Sequence, residues 1–119
     1  MARILLAEDD DHLRRYLARG LRRAGHSVVD ASDGEAALAL ILHEPVDLLL
    51  ADVVMPGIDG IELARRASER WPGLLIMFIT GFAGVAMSQR EIGSRPATVL
   101  AKPFHLRQLV HEVRQILSA

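Results

Sequence analysis

The sequence contains no cysteine, which excludes disulfide bonds and zinc sites built on thiolates. Aromatic residues are scarce, with one tryptophan, one tyrosine and three phenylalanines. Long apolar runs are also missing. The N-terminal run at residues 4–7 is too short for a signal peptide or a membrane span, so we expect a cytoplasmic protein without membrane contacts. Neither sign of charge prevails, since 14 basic residues stand against 15 acidic ones, which argues against a general binder of DNA or membrane surfaces.

Half of the residues are hydrophobic, and a length of 119 residues suits one packed domain. Five short apolar runs alternate with five segments of helical character, which predicts an α/β fold with a parallel sheet between two layers of helices. We expect residues 1–119 to form this one domain, with no separate effector domain. The predicted strands lie at 4–7, 26–30, 46–51, 74–79 and 97–101, and the predicted helices at about 10–25, 34–43, 59–70, 82–95 (weak) and 105–117.

Polar residues stand at the carboxyl ends of four predicted strands: Glu8 with Asp9, then Asp52, Thr80 and Lys102. In sheets of this kind, functional residues collect at those ends. The order of the strands cannot be read from the sequence. If the chain follows the flavodoxin-like winding, the first and third strands are neighbours, and the three carboxylates converge.

These residue types suit the transfer of a phosphoryl group to a carboxylate. Crowded carboxylates raise one another's pKa, and a hard cation such as Mg²⁺ relieves that repulsion. Lys102 can neutralise phosphoryl oxygens, and Thr80 can donate a hydrogen bond to one. Asp52 is the best candidate nucleophile, because it ends the most apolar strand and precedes a loop at residues 55–57 that leaves one side open. Each residue alone has a plain structural explanation, such as a helix cap or a turn, but the joint pattern is far more specific.

Four segments together resemble the signature of response-regulator receiver domains, and the resemblance extends over essentially the whole chain. It implies a flavodoxin-like (βα)5 fold, a doubly wound five-stranded parallel sheet. It also implies that Asp52 accepts a phosphoryl group from a histidine kinase or a histidine phosphotransfer protein. The segments are Leu-Leu-Ala-Glu-Asp-Asp at 5–10, the stretch from the leucines to Asp-Gly at 48–60, Ile-Thr-Gly at 79–81 and Leu-Ala-Lys-Pro-Phe at 100–104.

The resemblance further implies a Mg²⁺ ion held directly by Asp9, Asp52 and the backbone carbonyl of Val54, with Glu8 acting through water. Thr80 and Lys102 would contact the phosphoryl group and report its presence. A cis peptide bond is expected between that lysine and the following proline.

Two positions depart from the pattern of many receivers. Three residues before the lysine, where an aromatic side chain often swings inward on activation, this chain has Val99. The segment at 82–95 is therefore expected to carry more of the response. Val54 and Phe82 stand where fast-hydrolysing receivers tend to place polar groups that orient water, which predicts a long-lived phosphorylated state.

Residues 78–83 and 102–107 more narrowly resemble a group of stand-alone alphaproteobacterial receivers. The output of that group is regulated proteolysis through the ClpXP protease, with the unphosphorylated form active. This resemblance makes the ClpX unfoldase the candidate effector.

Three alternatives stay open. The first is an adaptor that never uses its phosphosite. The second is a phosphohydrolase of the haloacid-dehalogenase type, which usually needs a second aspartate where this chain has Val54. The third is a DNA-binding regulator, which would need an effector domain.

The first predicted helix displays five arginines, which form either a solvated face or a docking surface for the phosphodonor protein. The last helix carries His105 and His111, for which ordinary surface positions are expected, since no second group of metal ligands accompanies them. The arginines are Arg14, Arg15, Arg19, Arg22 and Arg23.

Overall fold

The computed structural model describes residues 2–81, 91–92 and 95–118. The strands are β1 (Arg3–Ala7), β2 (Ser27–Ala31), β3 (Leu48–Asp52), β4 (Leu75–Thr80), β5 (Glu91–Ile92), β6 (Arg95–Pro96) and β7 (Thr98–Ala101). The helices are α1 (Asp11–Arg23), α2 (Gly34–His43), α3 (Gly60–Arg70) and α4 (Leu106–Ser118). Within the described residues, no helix combines the length and apolar character that crossing a membrane requires.

The main sheet has five parallel strands in the order β2-β1-β3-β4-β7. This is the doubly wound flavodoxin-like order, so the predicted fold class is confirmed. Ala7 pairs with Ala51 across β1 and β3, and Thr80 pairs with Ala101 across β4 and β7. The carboxyl ends of these four strands therefore lie along one edge of the sheet.

The core is split into two layers by the sheet, because alternate residues of a strand face opposite sides. Leu5 packs on one side with residues of α2 and α3 such as Ile41. Leu6 packs on the other side with residues of α1 and α4 such as Leu17. All five residues of β3 are buried, as its unbroken run of apolar residues up to Asp52 predicts.

Three helices begin at an aspartate whose side chain accepts a hydrogen bond from a backbone N–H in the first helical turn. Asp10 caps α1, Asp33 caps α2 and Asp59 caps α3, with oxygen–nitrogen distances of 3.0, 2.7 and 2.8 Å. Each cap contributes about 1 kcal/mol to helix stability. The caps also fix where the chain leaves the functional edge of the sheet.

One part of the secondary-structure prediction is wrong. The sequence predicted weak helix over residues 82–95, but β5 and β6 pair as antiparallel strands, with Ile92 opposite Arg95. In the sequence, the Gly-Ser pair at positions 93–94 is of a kind that favours a hairpin over a helix. Residues 82–90 and 93–94 of that prediction lie outside the described residues.

Candidate functional site

Three carboxylates meet at the carboxyl edge of the sheet. Glu8 directly follows β1, and Asp52 ends the neighbouring β3. One carboxylate oxygen from each of Glu8, Asp9 and Asp52 lies within 4.8 Å of the other two. Glu8 is fully buried and Asp52 is 5% exposed, whereas Asp9 is exposed to solvent. The convergence that the flavodoxin-like winding predicted is therefore observed, with one face of the cluster open.

Lys102 reaches this cluster from the end of β7. Its Nζ donates a hydrogen bond to Oδ2 of Asp52 at 2.8 Å and to Oε1 of Glu8 at 3.4 Å. The backbone N–H of Lys102 donates to the carbonyl oxygen of Thr80 at 2.7 Å, which joins the ends of β7 and β4. The expected cis peptide bond between Lys102 and Pro103 is present. The side chain of Thr80 is 1% exposed, so this residue lies inside the same edge.

The electrostatics of the pocket limit how many of its acids are ionised. Burial raises the pKa of Glu8 to about 7; the backbone N–H of Asp10 opposes this rise, while the adjacent Asp52 adds to it. Burial would lower the pKa of Lys102, but the hydrogen bond and charge of Asp52, together with Glu8, outweigh burial and raise it. The lysine is therefore charged at neutral pH, and Glu8 holds a proton in part.

Asp52 is held through both of its carboxylate oxygens. Its Oδ2 accepts from Lys102, and its Oδ1 accepts from the backbone N–H of Val54 at 3.1 Å. Val54 is 52% exposed. The role of the Val54 carbonyl as a metal ligand stays a prediction. The oxygen-only donor set fits Mg²⁺, which prefers carboxylates, carbonyls and water.

Gly60 allows the chain to pass close to Asp52. Its backbone N–H donates to the carbonyl oxygen of Val53 at 3.0 Å, and a Cβ on it would overlap the carbonyl oxygen of Asp52. A residue with a side chain therefore cannot occupy this position without moving either β3 or the start of α3. This requirement was not recognised in the sequence.

Arg14 is the residue beside the site that sequence reasoning misplaced. It was grouped with the other arginines of α1, yet its side chain is only 12% exposed, whereas the other four arginines are exposed. Its Nη1 donates to the carbonyl oxygen of Glu8 at 3.1 Å. The signal available in the sequence was Asp11, three residues earlier, which forms an ion pair with Arg14 at 2.7 Å. Docking on the four exposed arginines stays a prediction.

Three further predictions concern Val99, the two histidines of the last helix, and Phe82. Val99 is partly buried against the core and pairs with Phe78 across the sheet. His105 and His111 are exposed, in agreement with ordinary surface histidines. Phe82 lies outside the described residues.

Known proteins resemble this chain in sequence. The family model described as "Response regulator receiver domain" matches residues 4–114. The response regulator receiver protein CpdR of Brucella abortus (strain 2308) is 54% identical over 119 residues, covering 100% of this chain and 99% of that protein. The sensor kinase CckA of the same strain is 35% identical over 98% of this chain, which spans 13% of that kinase.

Solved structures resemble it in fold. The crystal structure of the receiver domain from the hybrid histidine kinase CckA superposes with a TM-score of 0.81 at 38% identity, covering 97% of this chain and 98% of that one. A CheY-like receiver domain protein from Methanospirillum hungatei JF-1 gives a TM-score of 0.90 at 27% identity, covering 99% and 94%. Because the family match, a nearly full-length relative and the shared fold all agree, the chain belongs to the response regulator receiver domain family.

Proposed function

We propose that this chain is a phosphoacceptor switch in which Asp52 receives a phosphoryl group from a phosphohistidine of a histidine kinase or phosphotransfer protein. A carboxylate oxygen of Asp52 forms the new P–O bond and the P–N bond to the histidine breaks. The imidazole, already protonated on its other ring nitrogen, leaves as the neutral ring. The observation that carries the proposal is the pairing of the buried Asp52 carboxylate with Lys102 at 2.8 Å, next to two further carboxylates.

In this proposal Asp9 and Asp52 would hold Mg²⁺ directly, together with the carbonyl of Val54, and Glu8 would act through water. Such an ion would neutralise charge on the phosphoryl oxygens. The acidic cluster supports this role, because its carboxylate oxygens lie within 4.8 Å of one another and one of its members is exposed. A bound ion would also favour the ionised form of Glu8, which burial and the adjacent Asp52 keep partly protonated.

Thr80 and Lys102 then act as the groups that report phosphorylation. The ammonium of Lys102 already contacts Asp52, so it can follow the negative charge onto a phosphoryl oxygen. Thr80 is tied to Lys102 through the backbone hydrogen bond between β4 and β7. A shift of either residue would therefore move both strand ends. Because Val99 stands where many receivers have an aromatic residue, the proposed route of the response runs from these strand ends to the segment at 82–95.

The proposed output is protein contact by a single-domain response regulator, without DNA. The 54% identity to CpdR along the whole chain supports regulation of ClpXP proteolysis, with the ClpX unfoldase as the effector. The resemblance to the receiver of the kinase CckA supports a phosphorelay in which a histidine kinase or phosphotransfer protein is the donor. We place this activity in the cytoplasm.

Labelling by acetyl phosphate in Mg²⁺ tests the phosphosite. Asp52→Asn should abolish labelling, because it keeps the shape of the side chain and removes the nucleophilic oxygen's charge. Asp47→Asn is the matched control, since Asp47 is exposed and lies just before the opposite end of β3. Full labelling of Asp52→Asn would refute the assignment.

Affinity capture from a lysate of the source cells tests the output. Wild type, with and without phosphodonor, and Asp52→Ala are compared by mass spectrometry. We expect ClpX to be captured by the unphosphorylated wild type and by Asp52→Ala. Equal capture by the phosphorylated and unphosphorylated forms would favour an adaptor whose phosphosite is unused.

A further inference from the structure

Arg14 joins three elements beside the acidic pocket. Its Nε donates to Oδ2 of Asp30 on β2 at 3.1 Å, and its Nη1 lies 2.7 Å from Oδ1 of Asp11 on its own helix. The same Nη1 donates to the carbonyl oxygen of Glu8 at 3.1 Å. With 12% exposure, this guanidinium is held in one place by its surroundings.

The carbonyl that Arg14 contacts belongs to the peptide between Glu8 and Asp9. Because a peptide group is planar, a fixed carbonyl also fixes the direction in which the chain enters Asp9. Other hydrogen bonds hold the rest of the turn. The backbone N–H of Glu8 donates to the carbonyl oxygen of Ala31 at 3.1 Å, and the backbone N–H of Asp10 donates to Oε2 of Glu8 at 3.0 Å. Asp9 itself is exposed, so its position depends on these neighbours.

We infer that Arg14 is a positioning residue for the magnesium site: it fixes the Glu8–Asp9 peptide so that both carboxylates face the cation. This inference rests on the function proposed above. A guanidinium suits the task because its planar fork can hold a backbone carbonyl and two carboxylates at once, which a single ammonium cannot.

Charge and positioning predict opposite effects when Arg14 is neutralised. The positive charge of Arg14 repels a cation, so its removal should, by electrostatics alone, tighten the binding of Mg²⁺. Losing the hydrogen bond to the Glu8 carbonyl should weaken it, since partners that orient metal ligands typically contribute about tenfold or more to affinity. The sign of the change therefore separates the two roles.

Arg22 provides a matched control on the same helix. It donates to the carbonyl oxygen of Val28 on β2 at 2.9 Å and lies 3.9 Å from Oδ1 of Asp30. Arg22→Gln thus removes the same charge and a similar link between α1 and β2, but it leaves the Glu8–Asp9 peptide alone. A loss of general packing would appear in both variants.

The experiment measures Mg²⁺ affinity by calorimetry, and the backbone amide shifts of residues 8–10 by NMR without metal. We expect Arg14→Gln to bind Mg²⁺ about tenfold more weakly and to shift those amides. Arg22→Gln should bind as well as wild type or slightly better, with those amides unchanged. Arg14→Lys should stay weaker than wild type, because it restores the charge without the fork.

Unchanged or tighter binding by Arg14→Gln would overturn the inference while leaving the proposed function intact, provided that wild type binds Mg²⁺. Wild-type Mg²⁺ affinity in Arg14→Lys would also overturn the inference, since a positive charge alone would then suffice for binding. If wild type binds no Mg²⁺, both the proposed metal site and this inference fail.

Discussion

The ammonium of Lys102 lies 2.8 Å from Oδ2 of Asp52 and 3.4 Å from Oε1 of Glu8, although the lysine is 50 residues from one and 94 from the other in the chain. One cation thus spans two buried carboxylates that adjacent strands bring together. Breaking a buried pair of this kind leaves an uncompensated charge, so the contact matters both for stability and for signalling.

The switch should depend on Lys102 and Thr80 rather than on Val99. Lys102→Ala and Thr80→Ala should each abolish the difference in partner binding between the phosphorylated and unphosphorylated proteins, because these groups read the phosphoryl oxygens. Val99→Ala should cost about 1 kcal/mol of packing and keep that difference. Partner capture with and without phosphodonor checks this; loss of the switch in Val99→Ala alone would contradict it.

Mg²⁺ affinity should rise with pH through neutrality. Glu8 has a pKa of about 7 in the folded metal-free protein against an ordinary value of 4.5, so between these values the folded chain keeps a proton that the unfolded chain has lost. The metal-free protein therefore loses stability as pH rises across this window. Mg²⁺ must displace the same proton, so its affinity should be about tenfold lower at pH 6 than at pH 8.

Glu8→Gln provides the control for this pH dependence, since it cannot titrate. Its Mg²⁺ affinity should be weaker than that of wild type and nearly constant from pH 6 to pH 8. Calorimetry at the two pH values measures both proteins. An equally steep pH dependence in Glu8→Gln would show that another group is responsible.

Gly60→Ala should disturb both stability and phosphorylation. The added Cβ would overlap the carbonyl oxygen of Asp52, so either β3 or the start of α3 must move. We expect the free energy of unfolding to fall by about 1–3 kcal/mol, and labelling by acetyl phosphate to slow. Gly73→Ala is the matched control, because a Cβ there meets nothing within 4 Å; its stability should be unchanged or slightly higher. Equal behaviour of the two variants would contradict the close approach at Asp52.

The phosphorylated state should last for minutes rather than seconds. The half-exposed Val54 contacts the Asp52 carboxylate through its backbone N–H, and its apolar side chain cannot orient an attacking water. Phe82 is equally apolar. Decay of the phosphorylated protein in Mg²⁺ is compared for wild type and for Val54→Asn combined with Phe82→Glu. We expect faster decay in the double variant. Equal or slower decay would show that this apolar pair does not limit hydrolysis.

Sequence and structure agree most closely where local patterns are strong. The apolar run at residues 46–51 predicted a strand, and β3 (Leu48–Asp52) is observed there with all five residues buried. The helix predicted at 59–70 is observed as α3 (Gly60–Arg70), and Asp59 accepts a hydrogen bond from the backbone N–H of Glu62 in its first turn. The segment before β7 was mispredicted as helix, because three glycines from 81 to 93 left only a weak periodic signal.

By itself, the sequence determined the five strands of the main sheet and the helices α1 to α4, the polar residues at the strand ends and the resemblance to the receiver family. These depend on local periodicity and on residue type at short spacing. The tertiary structure alone decided that β1 lies between β2 and β3, that Lys102 bridges Asp52 and Glu8, and that Arg14 turns inward to the Glu8 carbonyl while its neighbours stay exposed. The physical reason is that these contacts join residues from different elements. Their distances follow from how the sheet is wound and how the helices pack on it, and neighbouring residues in the chain do not encode that arrangement.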